Sequence, residues 1–160
     1  MDVVFLDLAK AFDKVPHKRL LEKLKKHGIS GNILNVIEDW LKDRRQRVCI
    51  KGRWSGWIRV WSGVPQGSVL GPVLFLVFIN DLDQGIASSI LKFADDTKLF
   101  KEVRHNTDCE ALQRDLDNVV LWAQKWQMQF NVKKCKVMHV GRQTDCCEYY
   151  MEGKSYRKRH

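Results

Sequence analysis

One segment, Leu70 to Leu82, is apolar on almost every face of a helix and constrains the fold more than any other part of the sequence. A helix on a protein surface carries a polar face, and this segment has almost none. Pro72 does not oppose a helix here, because proline is tolerated in the first turn. We therefore expect a helix that is buried between a sheet and a second layer.

Four short segments are rich in β-branched and aromatic residues and are expected to form the sheet. They are Asp2 to Leu8, Ile90 to Ala94, Thr97 to Lys101 and Lys136 to Val140. The first segment carries Asp7 at its rim, and only Asp95 and Asp96 separate the second from the third. A tight hairpin is therefore predicted, with both carboxylates at its tip.

Amphipathic helices are indicated in three places by apolar residues at helical spacing. The predicted helices begin near Pro16, Ser30 and Thr107 and end near Gly28, Leu41 and Ala123. Proline and serine favour helix starts, glycine favours a helix end, and Thr107 to Glu110 has the pattern of a capping box. Arg47 to Ile50 and Trp57 to Trp61 flank a turn at Lys51-Gly52-Arg53, which predicts a β-ribbon.

The order of these elements predicts an α+β fold. With the inserted helices and the ribbon set aside, the order is strand, helix, two hairpin strands, helix, strand, which is the split β-α-β arrangement of a ferredoxin-like sheet. We expect this domain to span residues 1–142. Residues 143–160 show no periodicity and are expected to form a basic, loosely ordered tail.

In the ferredoxin-like topology the first strand lies beside the hairpin, so Asp7 can meet Asp95 and Asp96. Carboxylates from separate strands suit Mg²⁺, which prefers hard oxygen ligands. Taken singly, each aspartate is explained by turn or strand-end chemistry. Taken together, adjacent carboxylates repel each other, and a bound dication would relieve that repulsion. Asp13 lies past the strand and is expected to be structural.

The formal net charge of +9 favours a polyanionic partner, although part of the excess is explained by the solvated face of a helix. The basic residues concentrate in Lys10 to Lys26, Lys42 to Arg59 and Lys154 to Arg159. The five cysteines include no C-x-x-C pair and are interpreted as reduced thiols. Cys135 and His139 alone are too few ligands to predict zinc. No apolar run is long enough for a membrane span, and we expect an intracellular protein, nuclear or cytoplasmic.

Four motifs resemble those of a reverse transcriptase of the non-LTR retrotransposon (LINE) type. They are motif A at Phe5 to Asp13, motif B at Ser62 to Pro72, motif C at Phe93 to Asp96 and motif D at Asn131 to Cys135. Trp61 stands where a small polar residue is expected before motif B. The resemblance implies the palm of an RNA-directed DNA polymerase, which adds deoxynucleoside triphosphates to a DNA primer on an RNA template with two Mg²⁺ ions.

The resemblance also implies roles for individual residues. Asp7, Asp95 and Asp96 would be catalytic metal ligands, joined by the backbone of Leu8. Lys134 would assist proton delivery to the pyrophosphate leaving group. Phe12, Gln66 and Gly67 would contact the substrate, with Phe12 as the aromatic gate against a ribose 2′-hydroxyl. From the residues alone, a core aromatic is an equally good interpretation of Phe12.

Two alternatives to this activity follow from the sequence. The motifs begin at A and end at D, so the upstream fingers and downstream thumb of such polymerases are not represented, and a truncated, non-catalytic relic that only binds nucleic acid is the first alternative. The second is another palm-based nucleotidyltransferase or a cyclase. The loop Ser62 to Gly67 argues against the second, because a cyclase has no template to contact. The sequence does not define the oligomeric state.

Overall fold

The computed structural model describes residues 1–141 and 147–156 of the chain. These residues fold into two compact units, where the sequence had predicted one domain over residues 1–142. The first, here called the sheet unit, comprises Met1–Ala9 and Asn80–His160. The second, the helical unit, comprises Lys10–Ile79.

A four-stranded antiparallel sheet organises the sheet unit. Its strands are β1 (Asp2–Asp7), β6 (Ser89–Phe93), β7 (Asp96–Lys101) and β8 (Lys136–His139), numbered along the whole chain. The spatial order is β6-β7-β1-β8. Strand β1 is therefore central and pairs antiparallel with β7 on one side and β8 on the other.

One face of this sheet is covered and the other is open. Strand residues alternate between the two faces, and Val4, Leu6 and Leu99 on one face are at most 2% exposed. Helix α5 (Asn106–Trp126) contacts β7 and buries Leu112, Leu116, Val119 and Ala123. The charged side chains of Asp96 and Lys98 alternate with these buried positions and are exposed, so they lie on the open face.

The start of helix α5 differs from its prediction. The expected capping box began at Thr107, but the N-cap residue is His105. The Asp108 carboxylate accepts hydrogen bonds from the backbone N–H groups of Arg104 and His105, at 2.9 and 3.0 Å. These bonds lower the pKa of Asp108. The sequence pattern predicted the start of the helix to within two residues, but the N-cap residue is His105 and not the predicted Thr107.

Part of the predicted loose tail is ordered. Strands β9 (Tyr149–Met151) and β10 (Lys154–Tyr156) form an antiparallel hairpin. Tyr149 is fully buried, and its hydroxyl donates a 2.6 Å hydrogen bond to the Asp2 carboxylate, which also lies 2.7 Å from His139 Nδ1. Burial and this carboxylate raise the pKa of Tyr149. Two-stranded hairpins this short have no detectable periodicity, so this one could not be predicted from the sequence. Residues 142–146 and 157–160 lie outside the described residues.

The interpretation of all five cysteines as reduced thiols is also corrected. Cys109 in α5 and Cys147 are joined by a disulfide, with Cα atoms 6.0 Å apart. Spacing gave no sign of it, because 38 residues separate the two positions and the helix and hairpin meet only in the folded state. Cys49 is free and exposed, and Cys135 is free and buried.

Four helices form the body of the helical unit. They are α1 (Ala11–Lys14), α2 (His17–Lys26), α3 (Gly31–Leu41) and α4 (Leu70–Ile79). Helix α2 contacts both α3 and α4, and their buried residues include Leu20, Leu24, Leu34, Ile37, Phe75 and Phe78. Pro16 and Ser30 occupy N-cap positions as predicted, but the Ser30 side chain makes no capping hydrogen bond.

Lys23 is buried in α2 among apolar residues. Its ammonium group donates a 2.5 Å hydrogen bond to the Phe78 carbonyl and lies 4.7 Å from the centre of the Phe78 ring. Lys23 is three residues after Leu20, and this spacing places it on the apolar stripe rather than on the solvated face.

Helix α4 is less buried than its composition predicted. Gly71, Leu74, Phe75 and Phe78 are buried, whereas Val73 is 50% and Leu76 is 52% exposed. Val73 and Leu76 are three residues apart and share the face opposite the buried residues. The helix ends at Ile79, three residues earlier than the apolar run, and a 3₁₀ turn (Asn80–Asp83) follows.

The predicted β-ribbon is present between α3 and α4. Its short strands are β2 (Arg45–Gln46), β3 (Cys49–Ile50), β4 (Arg53–Trp54) and β5 (Ile58–Arg59). Strand β2 pairs with β5, and β3 pairs with β4 across a turn in which Lys51 and Gly52 both have positive φ. Positive φ at both positions is typical of a type I′ hairpin turn. Among the described residues, no helix has the length and apolar character to span a membrane.

Candidate active site

Asp7 and Asp96 face each other across two neighbouring strands. They are direct partners at the ends of β1 and β7. The Asp7 carbonyl accepts a 2.7 Å hydrogen bond from Asn131 N–H, on the side of β1 away from β7. Asp7 and Asp96 therefore form a non-hydrogen-bonded pair, in which Cα atoms are about 4.5 Å apart and side chains are close. Two carboxylates at this spacing create a strongly negative point at the rim of the open face.

The hairpin turn that carries Asp95 lies one residue earlier than predicted. Phe93 pairs with Asp96, so the two-residue loop is Ala94–Asp95 and Asp96 already belongs to β7. Asp95 is covalently next to Asp96, which places its Cα no more than about 8 Å from that of Asp7. All three aspartates are therefore at one end of the sheet.

Ala94 adopts a left-handed conformation in this loop, with φ of 52°. A side chain in that conformation costs about 1–2 kcal/mol, and most turns of this kind use glycine or asparagine. Such local strain concentrates at functional sites. The strained residue Ala94 directly precedes Asp95 in the loop, so its backbone conformation determines the direction in which Asp95 points.

The Leu8 backbone carbonyl points toward the hairpin. Leu8 and Phe130 form an antiparallel bridge, and the hydrogen bonds of this bridge are made by the residues on either side of Leu8. The Asn131 N–H donates to the Asp7 carbonyl at 2.7 Å, and the Ala9 N–H donates to the Gln129 carbonyl at 2.8 Å. Backbone groups of neighbouring strand residues point to opposite sides. The Leu8 carbonyl therefore points to the β7 side, where Asp95 lies, while the Leu8 side chain is buried.

Lys134 is placed next to Asp7 by a turn. The Lys134 N–H donates a 2.8 Å hydrogen bond to the Asn131 carbonyl, and Asn131 is itself bonded to Asp7. The Lys134 ammonium lies 3.6 Å from the Asp7 carboxylate, with 68% of the lysine side chain exposed. An ion pair this exposed contributes about 1 kcal/mol or less, so Lys134 is free to move toward a more highly charged anion.

A cleft of about 420 Å³ opens beside Asp7 and Asp96, and its rim is basic. Lys133, Lys134 and Lys136 line it together with Phe5 and Leu6. On the open face, Phe5 stands between Lys98 on β7 and Lys136 on β8. An acidic pair bordered by lysines suits a ligand that combines a metal cation with phosphate anions.

The donor set fits Mg²⁺ only if substrate completes it. In residues 1–141 and 147–156, no group of three His, Cys, Asp or Glu side chains is arranged to hold a metal ion. Mg²⁺ is commonly bound by one or two carboxylates together with waters and substrate phosphates. Asp7, Asp96 and the Leu8 carbonyl supply hard oxygen atoms of the required kind.

The three predicted substrate residues, Phe12, Gln66 and Gly67, belong to the helical unit. Phe12 is half-buried, and its ring stacks on that of Phe75, with centroids 4.4 Å apart. The Phe12 ring is therefore anchored by the core and still partly accessible. This packing is compatible with both interpretations of Phe12 that the sequence left open.

Gln66 is held by Asp13, a contact that sequence reasoning missed. The Gln66 amide donates a 3.1 Å hydrogen bond to the Asp13 carboxylate. Asp13 was expected to be structural, and within the helical unit it positions Gln66. Gly67, the next residue, has φ of +81° in open space. A glycine is favoured there by backbone conformation and not by crowding.

The rest of this loop is bound tightly to the segment after β1. Ser62 Oγ donates to the Asp13 carbonyl, and the N–H groups of Gly63 and Val64 donate to the carbonyls of Val15 and Phe12, all at 2.8 Å. A Cβ atom on Gly63 would lie 2.7 Å from the Asp13 carbonyl oxygen.

The Gly63 carbonyl in turn lies 2.9 Å from Arg44 Nη1 and from His17 Nε2. Burial lowers the pKa of Arg44. Neither Arg44 nor His17 was singled out from the sequence.

The sheet unit thus carries paired aspartates at the rim of an antiparallel sheet beside a basic cleft, and the helical unit carries a loop with two glycines at positive φ. The chain matches the family model described as "Reverse transcriptase (RNA-dependent DNA polymerase)" over residues 2–152, and it belongs to that family. The family prediction from the four motifs is confirmed.

The curated relatives are polymerases of mobile elements. The chain is 34% identical over 152 residues to the RNA-directed DNA polymerase from mobile element jockey of Drosophila melanogaster, covering 89% of this chain and 16% of the relative. It is 33% identical over 142 residues to the probable RNA-directed DNA polymerase from transposon BS of the same species, covering 83% of this chain and 16% of the relative. The chain thus spans about a sixth of the length of these relatives.

A solved structure supports the fold. The apo telomerase from Candida tropicalis, truncated from its C-terminal domain, aligns with 98% of this chain and 34% of its own, with a TM-score of 0.64. The sequence identity is 14%, so this likeness concerns the fold alone.

Proposed function

We propose that the chain is the palm of an RNA-directed DNA polymerase of the non-LTR retrotransposon type, which transfers deoxynucleotides to a primer 3′-hydroxyl. The observation that carries this proposal is the Asp7–Asp96 pair at the rim of the open sheet face. The strand order β6-β7-β1-β8 supports a ferredoxin-like, split β-α-β palm, with α1 to α4 and the ribbon inserted after β1.

In the reaction, the primer 3′-hydroxyl loses its proton to solvent and its oxygen forms a bond to the α-phosphorus. The bond between the α-phosphorus and the oxygen that bridges it to the β-phosphorus breaks, which releases pyrophosphate. Reverse transcriptases use divalent metal ions, and we assign two Mg²⁺ ions, which when bound would activate the primer hydroxyl and would stabilise charge on the transferring phosphate. Asp7, Asp95, Asp96 and the Leu8 carbonyl would hold them. Lys134, on the cleft rim, delivers a proton to the pyrophosphate leaving group.

Three residues of the helical unit are assigned to the substrate. Phe12 crowds a ribose 2′-hydroxyl and so favours deoxynucleotides; its stacking on Phe75 supports this role, because a fixed ring excludes the hydroxyl better than a mobile one. Gln66, oriented by Asp13, and Gly67, with no side chain, contact the incoming nucleotide and the template.

The open sheet face is proposed to support the primer. Lys98 and Lys136 flank Phe5 beside the acidic pair, which offers cations to the phosphate backbone and an apolar surface to the terminal sugar. The proposed partners are therefore an RNA template, a DNA primer and deoxynucleoside triphosphates. We place the protein inside the cell, where these substrates occur.

Primer extension on an RNA template tests the proposal. The chain would be assayed alone and as a replacement for the matching segment of the jockey polymerase, which supplies the remaining parts of a complete polymerase. Asp95→Asn removes one charge at the reacting centre, and such losses typically lower the rate by about 10²–10³-fold. We expect the replacement protein to extend the primer and its Asp95→Asn variant to lose at least about a hundredfold.

Asp39→Asn is the matched control, because the Asp39 side chain is 81% exposed on α3, outside the proposed site. Its extension rate is expected to equal that of the unsubstituted protein. If the replacement protein binds RNA but never extends a primer, the non-catalytic relic is the correct interpretation. If extension proceeds equally well without a template, the chain is a nucleotidyltransferase of another kind.

A further inference from the structure

The β-ribbon combines positive charge with exposed aromatic rings. Residues 42–61 contain seven basic residues and one acidic residue, together with three of the six tryptophans. The basic residues are Lys42, Arg44, Arg45, Arg47, Lys51, Arg53 and Arg59. No activity proposed above uses this segment.

The pairing of the ribbon sorts its side chains onto two different faces. Arg45 is opposite Arg59, and Cys49 is opposite Trp54. Continued to the positions just outside these two-residue strands, the alternation groups Arg47 with Arg45, and Trp57 and Trp61 with Arg59. The opposite face carries Ile50 with its partner Arg53 and Ile58 with its partner Gln46. One face is therefore basic and aromatic, and the other combines aliphatic with polar side chains.

Contacts within the ribbon confirm this sorting. The Arg47 guanidinium lies 3.8 Å from the centre of the Trp54 ring and 4.4 Å from that of Trp57. Arg59 lies 5.1 Å from the centre of the Trp61 ring. These cation–π contacts favour this orientation of the rings before a ligand binds. We call Arg45, Arg47, Trp54, Trp57, Arg59 and Trp61 the basic-aromatic face.

The indole rings of this face remain accessible. Trp54 and Trp57 are each 58% exposed and Trp61 is 75% exposed. A guanidinium covers at most one side of an indole ring, so the other side is open to a second planar group. Large aromatic residues that are this exposed next to cations are suited to a ligand that is both planar and anionic.

The basic-aromatic face continues into a cleft of about 410 Å³ at the base of the ribbon. Arg59 and Trp61 line this cleft together with Gln46, Lys10 and Asp13. Asp13 also holds Gln66, the residue assigned to the template and nucleotide. Within the helical unit, the cleft thus shares Arg59 and Trp61 with the ribbon and Asp13 with the hydrogen bond that holds Gln66.

We propose that the basic-aromatic face binds a single-stranded polynucleotide, with bases stacked on Trp54, Trp57 and Trp61 and phosphates held by the arginines. Unpaired bases are required, because the π faces of a duplex are already stacked on each other. An acidic peptide would satisfy the arginines but would leave the indole faces unused. The inference rests on the proposed function in one respect only, which is that the bound single strand is identified as the template.

Equilibrium binding to the 160-residue chain tests this proposal, without nucleotides or added metal. Fluorescence anisotropy would follow fluorescein-labelled, unstructured RNA of about 12 nucleotides, with DNA of the same sequence and an RNA duplex as parallel probes. Stacking of one base contributes enough that its loss weakens binding about tenfold. We expect Trp57→Ala to weaken single-strand binding about tenfold and the double variant Trp54→Ala/Trp57→Ala to weaken it further. All these variants keep the charge.

The control is Ile58→Ala, which removes a side chain of similar exposure, 63%, from the opposite face of the same ribbon. It is expected to bind RNA as the unsubstituted chain does. Circular dichroism of each variant verifies folding, which is expected to be retained because the substituted side chains are exposed. Equal affinity for RNA and DNA single strands supports stacking as the mode of recognition, and a preference for RNA supports it with an added contact to the 2′-hydroxyl.

Two results would overturn the inference. The first is that Trp57→Ala and the double variant bind single-stranded RNA as tightly as Ile58→Ala does. The second is that the RNA duplex binds as tightly as the single strand and loses the same affinity when the tryptophans are replaced. Neither result depends on catalysis. If the tryptophan variants weaken RNA binding while the primer is never extended, the inference stands and the polymerase proposal fails. If the primer is extended and the tryptophans do not affect binding, the polymerase proposal stands and this inference fails.

Discussion

Phe12 combines core packing with partial exposure. Its ring stacks on that of Phe75, and part of the ring remains accessible, so the proposed role in selectivity depends on a residue that also belongs to the core. The sequence could place Phe12 five residues after Asp7 but could not decide between a core residue and a gate. That decision depends on what surrounds the ring.

Phe12→Val is therefore expected to change two measurable properties. Loss of ring packing should lower the free energy of unfolding by about 1–3 kcal/mol. In the jockey polymerase that carries this chain, ribonucleotide incorporation relative to deoxynucleotide incorporation should rise at least about tenfold. Each ~1.4 kcal/mol of steric repulsion removed between the ring and the 2′-hydroxyl gives a factor of ten in rate. Single-nucleotide extension with each sugar measures this ratio. Phe12→Tyr keeps the ring and should keep the selectivity. A valine variant that is destabilised but equally selective would show that Phe12 is only a core residue.

At the scale of elements, the sequence predicted the kinds of structure better than their details. The four strands of the sheet, the helices α2, α3 and α5 and the ribbon were anticipated, because each has a strong local periodicity or turn signal. The observed hairpin turn is Ala94–Asp95, one residue earlier than the predicted turn, because strand pairing and not composition determines which residues form the loop. The hairpin of β9 and β10 was missed, because its three-residue strands show no periodicity and its contacts, such as that of Tyr149 with Asp2, join distant parts of the sequence.

The candidate site was predicted to a similar extent. The aspartates could be identified because their motifs are local, and their meeting followed from the expected topology. The contacts that orient the loop, from Asp13 to Gln66 and from Arg44 and His17 to Gly63, could not be predicted, since they join segments without a shared pattern.

Two glycines of this loop give a matched pair for a stability test. Gly63→Ala introduces a Cβ atom 2.7 Å from the Asp13 backbone as well as backbone strain, whereas Gly67→Ala introduces strain in open space. Strain of this kind costs about 1–3 kcal/mol at each site. Urea unfolding of the chain should show Gly63→Ala to be the less stable variant by at least about 1 kcal/mol, because the clash adds to the strain. Equal stabilities would mean that the loop is not held against Asp13 in solution.

For the whole molecule, the net charge of +9 predicts electrostatic binding to nucleic acid. The affinity for single-stranded RNA should fall with salt, and the slope of log K against log salt should be about −0.7 for each phosphate neutralised. Anisotropy titrations at several salt concentrations measure the slope. Arg45→Gln, which removes one cation from the ribbon, should reduce its magnitude by about 0.7. An affinity that stays constant from low to moderate salt would exclude this mode of binding.

The position of β1 has a consequence for how the chain folds. Its neighbours in the sheet come much later in the chain: Asp7 pairs with Asp96, and Asp2 pairs with His139. The helical unit, in contrast, is one continuous segment, Lys10–Ile79. Pairings between distant segments form slowly, because a long loop must close first. During synthesis on the ribosome, the helical unit can fold while β1 still has exposed strand edges. Asp7 on β1 is then synthesised before its sheet partners and is positioned only when β7 and β8 pair with β1.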